Sequence, residues 1–243
     1  MAMRIDVFLA NSGILQSRTE AKKFIENGWV FVDSKPVDKP SMDVSGVEDR
    51  VFVDLSQKQF VSRGGIKLNG ALKAFNVDPH GKKCLDIGAS SGGFTDCLLQ
   101  QGASHVIAVD SGYGQIAQCL RENDRVTVIE NYNARYMKPT DLSYVPELVV
   151  MDVSFISATY IIPQIYECIC EGGEFICLIK PQFEVGKDGL GKGGVVKDSK
   201  VREQAFRRVL DFAVQQGFSL RGTIESPIRG GDGNIEYLAY FVK

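Results

Sequence analysis

From about residue 80 to the end, apolar positions fall into short dense runs. The runs 82–89 (KKCLDIGA), 104–110 (SHVIAVD), 125–131 (RVTVIEN), 147–155 (ELVVMDVSF) and 173–181 (GEFICLIKP) are rich in valine and isoleucine. Such runs predict buried strands. Between them lie amphipathic stretches that predict helices: 92–102 (GGFTDCLLQQG), 113–123 (YGQIAQCLREN) and 157–172 (SATYIIPQIYECICEG). Strand and helix in alternation mean a parallel sheet with helices on both faces. A long helix is predicted over 198–217, capped by Asp198 or Ser199 and ended by Gly217. Two further strands, 219–227 and 234–243, are separated by a Gly-rich loop and are expected to pair antiparallel. Five parallel strands closed by an antiparallel pair predict an α/β, Rossmann-like class I methyltransferase sheet of seven strands.

Residues 1–60 follow another pattern. In 17–28 (SRTEAKKFIENG), Ser17 is a helix N-cap with Glu20 three residues on; Ala21, Phe24 and Ile25 form an apolar face and Gly28 ends it. Then 29–37 (WVFVDSKPV) reads as a strand, a turn at Ser34-Lys35-Pro36 and a return. The expected division is a small α+β module over 1–60 and a larger domain over 61–243. Arg18 and Lys22 share a helix face, with Lys23 beside it. That face is either solvated surface or a phosphate-contacting patch.

Charge and composition narrow the class. With 44% hydrophobic residues the chain buries a real core. No apolar run reaches membrane-spanning length, and the start carries no signal peptide, so a cytoplasmic location is expected. The net charge of −2 argues against whole-molecule attraction to nucleic acid and leaves room for a local basic patch. None of the six cysteines forms C-x-x-C or zinc-ligand spacing, so buried free thiols are expected and no metal. His80 and His105 are isolated in sequence and receive no role.

The ends of the strands hold the candidate chemistry. Strand 82–89 ends in Asp86 and Gly88, followed by a loop of small residues through Ser90 to Gly92, Gly93 and Phe94 at a helix start. Open α/β sheets bind ligands at this edge, and helix N-terminal amides suit an anion. The glycines do not space as G-x-G-x-x-G, and S-adenosylmethionine fits better than a dinucleotide: its carboxylate suits the loop amides and its ammonium a nearby acid. Asp110, 24 residues after Asp86, is placed for ribose hydroxyls, and Asn133 for the adenine edge. Residues 186–193 (GKDGLGKG) match G-x-x-x-x-G-K, but Gly193 stands where a magnesium-ligating Ser or Thr is required. A flexible Gly-rich lid is the better reading. Asp152 and Lys180 end neighbouring strands at the same edge. A lysine there loses hydration, and a second cation nearby favours its neutral form, which serves as a general base.

The second cation has to come from elsewhere in the chain, and 62–68 (SRGGIKL) carries Arg63 and Lys67. That segment, with LDIGASSGGFTD, VDSGYGQ, MDVSF, LIKPQFE and GNIEYL in this order, resembles the TlyA family, also called the hemolysin A family. The resemblance implies an N-terminal S4 RNA-binding domain, seen in RIDVFL, 17–33 and the following KPV, before an FtsJ-like 2′-O-ribose methyltransferase domain. It implies a catalytic tetrad of Lys67, Asp152, Lys180 and Glu236 and a cytidine ribose of ribosomal RNA as substrate, in the large ribosomal subunit and in some members also the small one. Arg4, Arg18, Lys22, Lys23 and Arg63 are the expected RNA contacts. Some members carry Arg-x-Trp-Val between the domains, where this chain reads KQFV over 58–61. The alternatives are a membrane-lytic protein and a non-catalytic RNA-binding protein.

Overall fold

The computed structural model of the chain describes residues 3–15, 17–55, 60–186, 189–191, 193–230 and 233–243. Lys58 and Gln59 of KQFV, and Lys187, Asp188 and Lys192 of the Gly-rich segment, lie outside the described residues. The chain divides into two compact units, 1–59 and 60–243.

In the first unit, helices α1 (Ile5–Asn11) and α2 (Arg18–Glu26) accompany a sheet of β1 (Val30–Val32), β2 (Lys35–Pro36) and β3 (Val51–Val53), in the order β2-β1-β3. Helix α2 begins as its sequence predicts: Ser17 accepts a hydrogen bond from the Glu20 amide at 3.1 Å. Helix α1 was not apparent from the apolar pattern. The turn also differs from expectation. Val32 pairs with Lys35, so the turn is Asp33-Ser34, with φ of 50° and 64°. Two central residues of positive φ match the twist of a tight hairpin, which leaves Lys35 and Pro36 to the strand. Ile5, Leu9, Phe24, Ile25, Val30 and Val53 belong to this unit's own core.

The second unit begins with α3 (Gly64–Phe75) and continues through β4 (Lys83–Ile87), α4 (Gly93–Gln100), β5 (His105–Val109), α5 (Gln118–Arg121), β6 (Val126–Ile129), β7 (Leu148–Met151), α6 (Ile162–Cys168), β8 (Glu174–Ile179), α7 (Pro181–Glu184), α8 (Ser199–Gln215), β9 (Ser219–Glu225) and β10 (Tyr237–Val242). The seven-stranded sheet has the order β6-β5-β4-β7-β8-β10-β9, the expected methyltransferase arrangement. Its last two strands pair antiparallel, and β10 is inserted between β8 and β9, antiparallel to both. Only β10 therefore runs against the other strands. Helix α5 is a single turn rather than the predicted 113–123, because Gly114 adopts φ +67° and helix starts only after Ala117. Asp198 caps α8 by accepting from the amides of Lys200 and Val201.

Alternation along each strand builds a core on each face. Leu85, Ile87, Val149 and Met151 pack with Ile162, Ile165, Val209 and Ala213 on the α6 and α8 side. Cys84, Val106, Val150 and Ile176 pack with Leu68, Leu72, Phe94 and Leu98 on the α3 and α4 side. Cys84, Cys97, Cys168 and Cys177 are buried as expected, whereas Cys119 is exposed. No described helix is long and apolar enough to cross a membrane.

Candidate active site

The parallel strands β4, β5, β7 and β8 all end at one edge, and the loops leaving them carry the candidate residues. The edge is zipped by backbone hydrogen bonds: Gly88 N–H to Val109 O at 2.8 Å, Asp110 N–H to Ile129 O at 3.0 Å and Asp152 N–H to Ile87 O at 2.9 Å. Gly88 sits at φ +80°, and a Cβ there would lie 2.4 Å from the Asp152 carbonyl oxygen. Only glycine lets the loop after β4 come this close to the strand carrying Asp152. Gly92 sits at φ +92°, and a Cβ there would lie 2.2 Å from a Leu120 methyl group.

The segment 62–68 is explained by packing as well as by charge. A Cβ on Gly93 would lie 2.2 Å from Ser62 Oγ, and one on Gly65 would lie 2.2 Å from the Phe60 ring. The Val61 amide donates to Asp96 on α4 at 2.7 Å. Small residues thus bring the first turn of α3 against the first turn of α4, and Lys67 is carried to the sheet edge.

Two clefts open there. One of about 480 Å³ is lined by Gly88, Ser90, Asp110, Gln115, Asn133 and Phe155, among others. A smaller one of about 270 Å³ is lined by Arg63, Lys67, Ser90, Phe94, Asp152 and Lys180, among others, including Gly93. Gly88, Ser90, Asp152 and Ser154 line both. Asp86, Gly92 and Glu236 line neither. Asp110 accepts the Ser90 and Gly112 amides, each at 2.7 Å, and so shapes the loop as well as the cleft wall. Asn133 accepts the Arg135 amide at 3.1 Å.

Asp86 lies beneath the loop. It is fully buried, Thr95 Oγ1 donates to its Oδ2 at 2.6 Å, and no hydrogen-bond partner reaches Oδ1 among the described residues. Burial pushes its carboxyl up to about 7; the Thr95 bonds oppose this, and the charges of Asp152 and Asp110 add to it.

The four tetrad candidates form two ion pairs. Lys67 Nζ lies 2.6 Å from Glu236 Oε2, with both residues buried. Lys180 Nζ lies 2.5 Å from Asp152 Oδ1 and donates to Ser154 Oγ at 2.8 Å. Asp152 Oδ1 has no aligned hydrogen bond despite this short approach, so that contact is coulombic rather than directional. Each lysine is set against a carboxylate of its own. Arg63 donates to the Arg229 carbonyl at 2.8 Å on the cleft wall.

Three contributors escaped the sequence reading. Ser154 holds Lys180, Gln182 donates to Glu236 Oε1 at 3.3 Å, and Phe155 stands 90% exposed at φ +63°, its ring 5.0 Å from that of Phe183. The MDVSF and LIKPQFE motifs contain all three. Their roles were hidden because they depend on which loops meet in space.

In the first unit, Arg4 and Arg18 both pair with the buried Asp6, each at 3.0 Å. Lys22 and Lys23 are exposed on α2 and make no ion pair among the described residues. Among the described residues, no group of three or more His, Cys, Asp or Glu side chains gathers as a metal site.

The family model for FtsJ-like methyltransferase matches residues 60–243, and that for the S4 domain matches residues 3–51. This chain belongs to the FtsJ-like methyltransferase family. The 16S/23S rRNA (cytidine-2′-O)-methyltransferase TlyA of Mycobacterium tuberculosis is 42% identical over 237 residues, 98% of this chain and 88% of that protein. A solved, hemolysin-named protein of Streptococcus thermophilus covers 100% of this chain and 88% of its own, with a TM-score of 0.79 at 40% identity. Aeropyrum pernix fibrillarin, solved with S-adenosylmethionine, shares the fold at a TM-score of 0.52 and 14% identity over 74% of this chain and 76% of its own. The FtsJ-like unit therefore places its two ion pairs and its Gly-rich loop at the edge where an open α/β sheet binds ligands.

Proposed function

We propose that this methyltransferase transfers the methyl of S-adenosylmethionine to the 2′-oxygen of a cytidine ribose in ribosomal RNA. The observation that carries the reading is the smaller cleft, where Lys67, Asp152 and Lys180 meet the Gly-rich loop. The larger cleft suits the methyl donor by its lining: Gly88 and Ser90 on the loop after β4, Asp110 after β5 and Asn133 after β6 all face it. Gly88, Ser90, Gly93 and Phe94 would hold its amino-acid end, Asp110 its ribose and Asn133 its base, with Gly92 and Asp86 supporting the loop from beneath. Bound S-adenosylmethionine supplies an already activated methyl group on a sulfonium.

Lys180 receives the proton of the 2′-hydroxyl as the oxygen attacks, and Asp152, 2.5 Å from its Nζ, stabilises the ammonium that results. Ser154 fixes the direction of Nζ. The Lys67–Glu236 pair sets a second cation in the smaller cleft, beside the reacting hydroxyl. Positioning supplies much of the acceleration. Phe155 offers an exposed ring at the larger cleft on which an unstacked base lies. Lys22 and Lys23, with Arg4, Arg18 and Arg63, contact phosphates and orient the RNA without reading bases. The protein works on ribosomal subunits in the cytoplasm.

The two built ion pairs support catalysis over RNA binding alone. The test is incubation of the protein with labelled S-adenosylmethionine and unmodified ribosomal subunits, followed by mass-spectrometric mapping of the RNA. Label on a cytidine 2′-oxygen is expected; label confined to base atoms would overturn the assignment.

A further inference from the structure

Glu236 does not line either cleft, yet its carboxylate is held from three sides. Lys67 takes Oε2 at 2.6 Å, Gln182 Nε2 donates to Oε1 at 3.3 Å, and Gly230 lies so close that a Cβ there would be 2.5 Å from Oε1. Gln182 keeps its own amide oxygen buried and without a donor among the described residues. Turning the amide over would give that oxygen no better place, since it would then face the carboxylate oxygen of Glu236. The carboxylate therefore dictates the amide's orientation, and the amide in turn narrows the carboxylate's.

The turn carrying Gln182 is itself locked. Helix α7 opens with Pro181 directly after Lys180. The Phe183 ring lies against Phe155. Glu184, buried, accepts from Ser157 Oγ at 2.6 Å and from the Ala158 amide at 2.8 Å, and Arg208 donates to the Glu184 carbonyl. One rigid turn thus begins at the lysine of one ion pair and reaches the carboxylate of the other.

Resting on the functional reading above, we infer that Gln182 is a positioning residue for methyl transfer, coupling the Lys67–Glu236 pair to Lys180. It acts through Glu236 rather than on the substrate. The prediction concerns the rate of the chemical step and its pH profile, because a direction of charge is lost rather than a binding contact.

The experiment compares the full-length wild type with Gln182→Met and Gln182→Glu, using S-adenosylmethionine and unmodified ribosomal RNA. It measures kcat, KM for RNA, cofactor Kd by calorimetry, thermal stability and the pH–rate profile. Gln182→Met is expected to lower kcat about tenfold and to leave KM and cofactor Kd within about twofold. Gln182→Glu sets a second carboxylate against Glu236, so the two share a proton and titrate as a pair; a new ionisation should appear in its pH profile and not in that of the methionine variant. A purely structural role would move melting temperature without this split. If Gln182→Met folds and keeps wild-type kcat, the inference is overturned and the functional reading stands. If the wild type leaves no 2′-O-methyl group on RNA, the functional reading falls and the inference with it. Should the glutamate variant fail to fold, the methionine variant's kcat still decides.

Discussion

Each unit of this protein contains a fully buried aspartate, and the two are held in opposite ways. Asp6 in the S4 unit is closed off: Arg4 and Arg18 occupy both of its oxygens. Burial pushes its carboxyl up, but the arginine hydrogen bonds and charges outweigh burial and hold it below the usual carboxylate range. Asp86 in the FtsJ-like unit has one hydroxyl donor, no cation, and an oxygen left over, and burial prevails. The difference separates a carboxylate closed by two cations from a carboxyl that burial keeps without one.

The largest effect is expected at the sheet edge of the FtsJ-like unit. Lys180→Ala should slow methyl transfer about a thousandfold or more, the scale of a lost general base. Cofactor affinity, measured by calorimetry, should stay near wild type, because the larger cleft is walled by residues from β4 to the segment after β7 and Lys180 is not among them. Lys180→Arg keeps the charge but does not deprotonate, so it should be nearly as slow. Substantial activity in the arginine variant would recast Lys180 as a fixed charge.

The two aspartates should also respond to pH with opposite signs. Asp86 has a folded value of about 7, above its ordinary 3.8. Its contribution is present in full below about pH 4 and is lost as pH rises toward 7, at up to roughly 1.4 kcal/mol per unit. Asp86→Asn mimics the neutral acid. Its stability relative to wild type, from urea titrations of the ligand-free protein, should rise between pH 4 and 7 by a few kcal/mol. A pH-independent difference would mean that Asp86 is ionised in the fold.

Asp6 works the other way. Its lowered value gives a contribution present above about pH 4 and lost on acidification. Asp6→Asn should destabilise the S4 unit at neutral pH by about 1–3 kcal/mol, the scale of lost charged hydrogen bonds, with the gap narrowing in acid. Hydrogen exchange of α1 amides would show it without interference from the larger unit. If α1 is as protected in the variant as in wild type, the clamp contributes little.

The sequence disclosed that sheet edge better than the closed cluster. Asp86, Asp110, Asp152 and Lys180 could be placed together because parallel strands deliver their C-terminal ends to one edge. Lys67 and Glu236 entered only through family resemblance; nothing local links a residue early in α3 to one just before β10, 169 positions away. Nothing local in the sequence marks Asp6 as clamped, because the contact with Arg18 depends on how α1 meets α2. The one-turn α5 and the Asp33-Ser34 turn escaped for a related reason. Apolar periodicity does not register backbone residues of positive φ.

The smallest effect tests what remains of the candidate basic patch of the S4 unit. The clamp divides its members: Arg4 and Arg18 are engaged with Asp6, whereas Lys22 and Lys23 make no ion pair among the described residues. The lysines should therefore carry most of the salt-sensitive attraction to RNA. Changing both to Glu should weaken binding to a ribosomal RNA fragment about tenfold and reduce the slope of log K against log salt by roughly 1.4 to 1.8, as expected for two lost phosphate contacts. Cofactor affinity and melting temperature should not change, since both side chains point to solvent. Changing Arg18 alone should instead lower stability together with RNA affinity, because it unlocks Asp6. If the double-lysine variant keeps its affinity and salt slope while Arg18→Ala loses RNA and not stability, the arginines are the phosphate contacts. The closed cluster would then serve binding as well as folding.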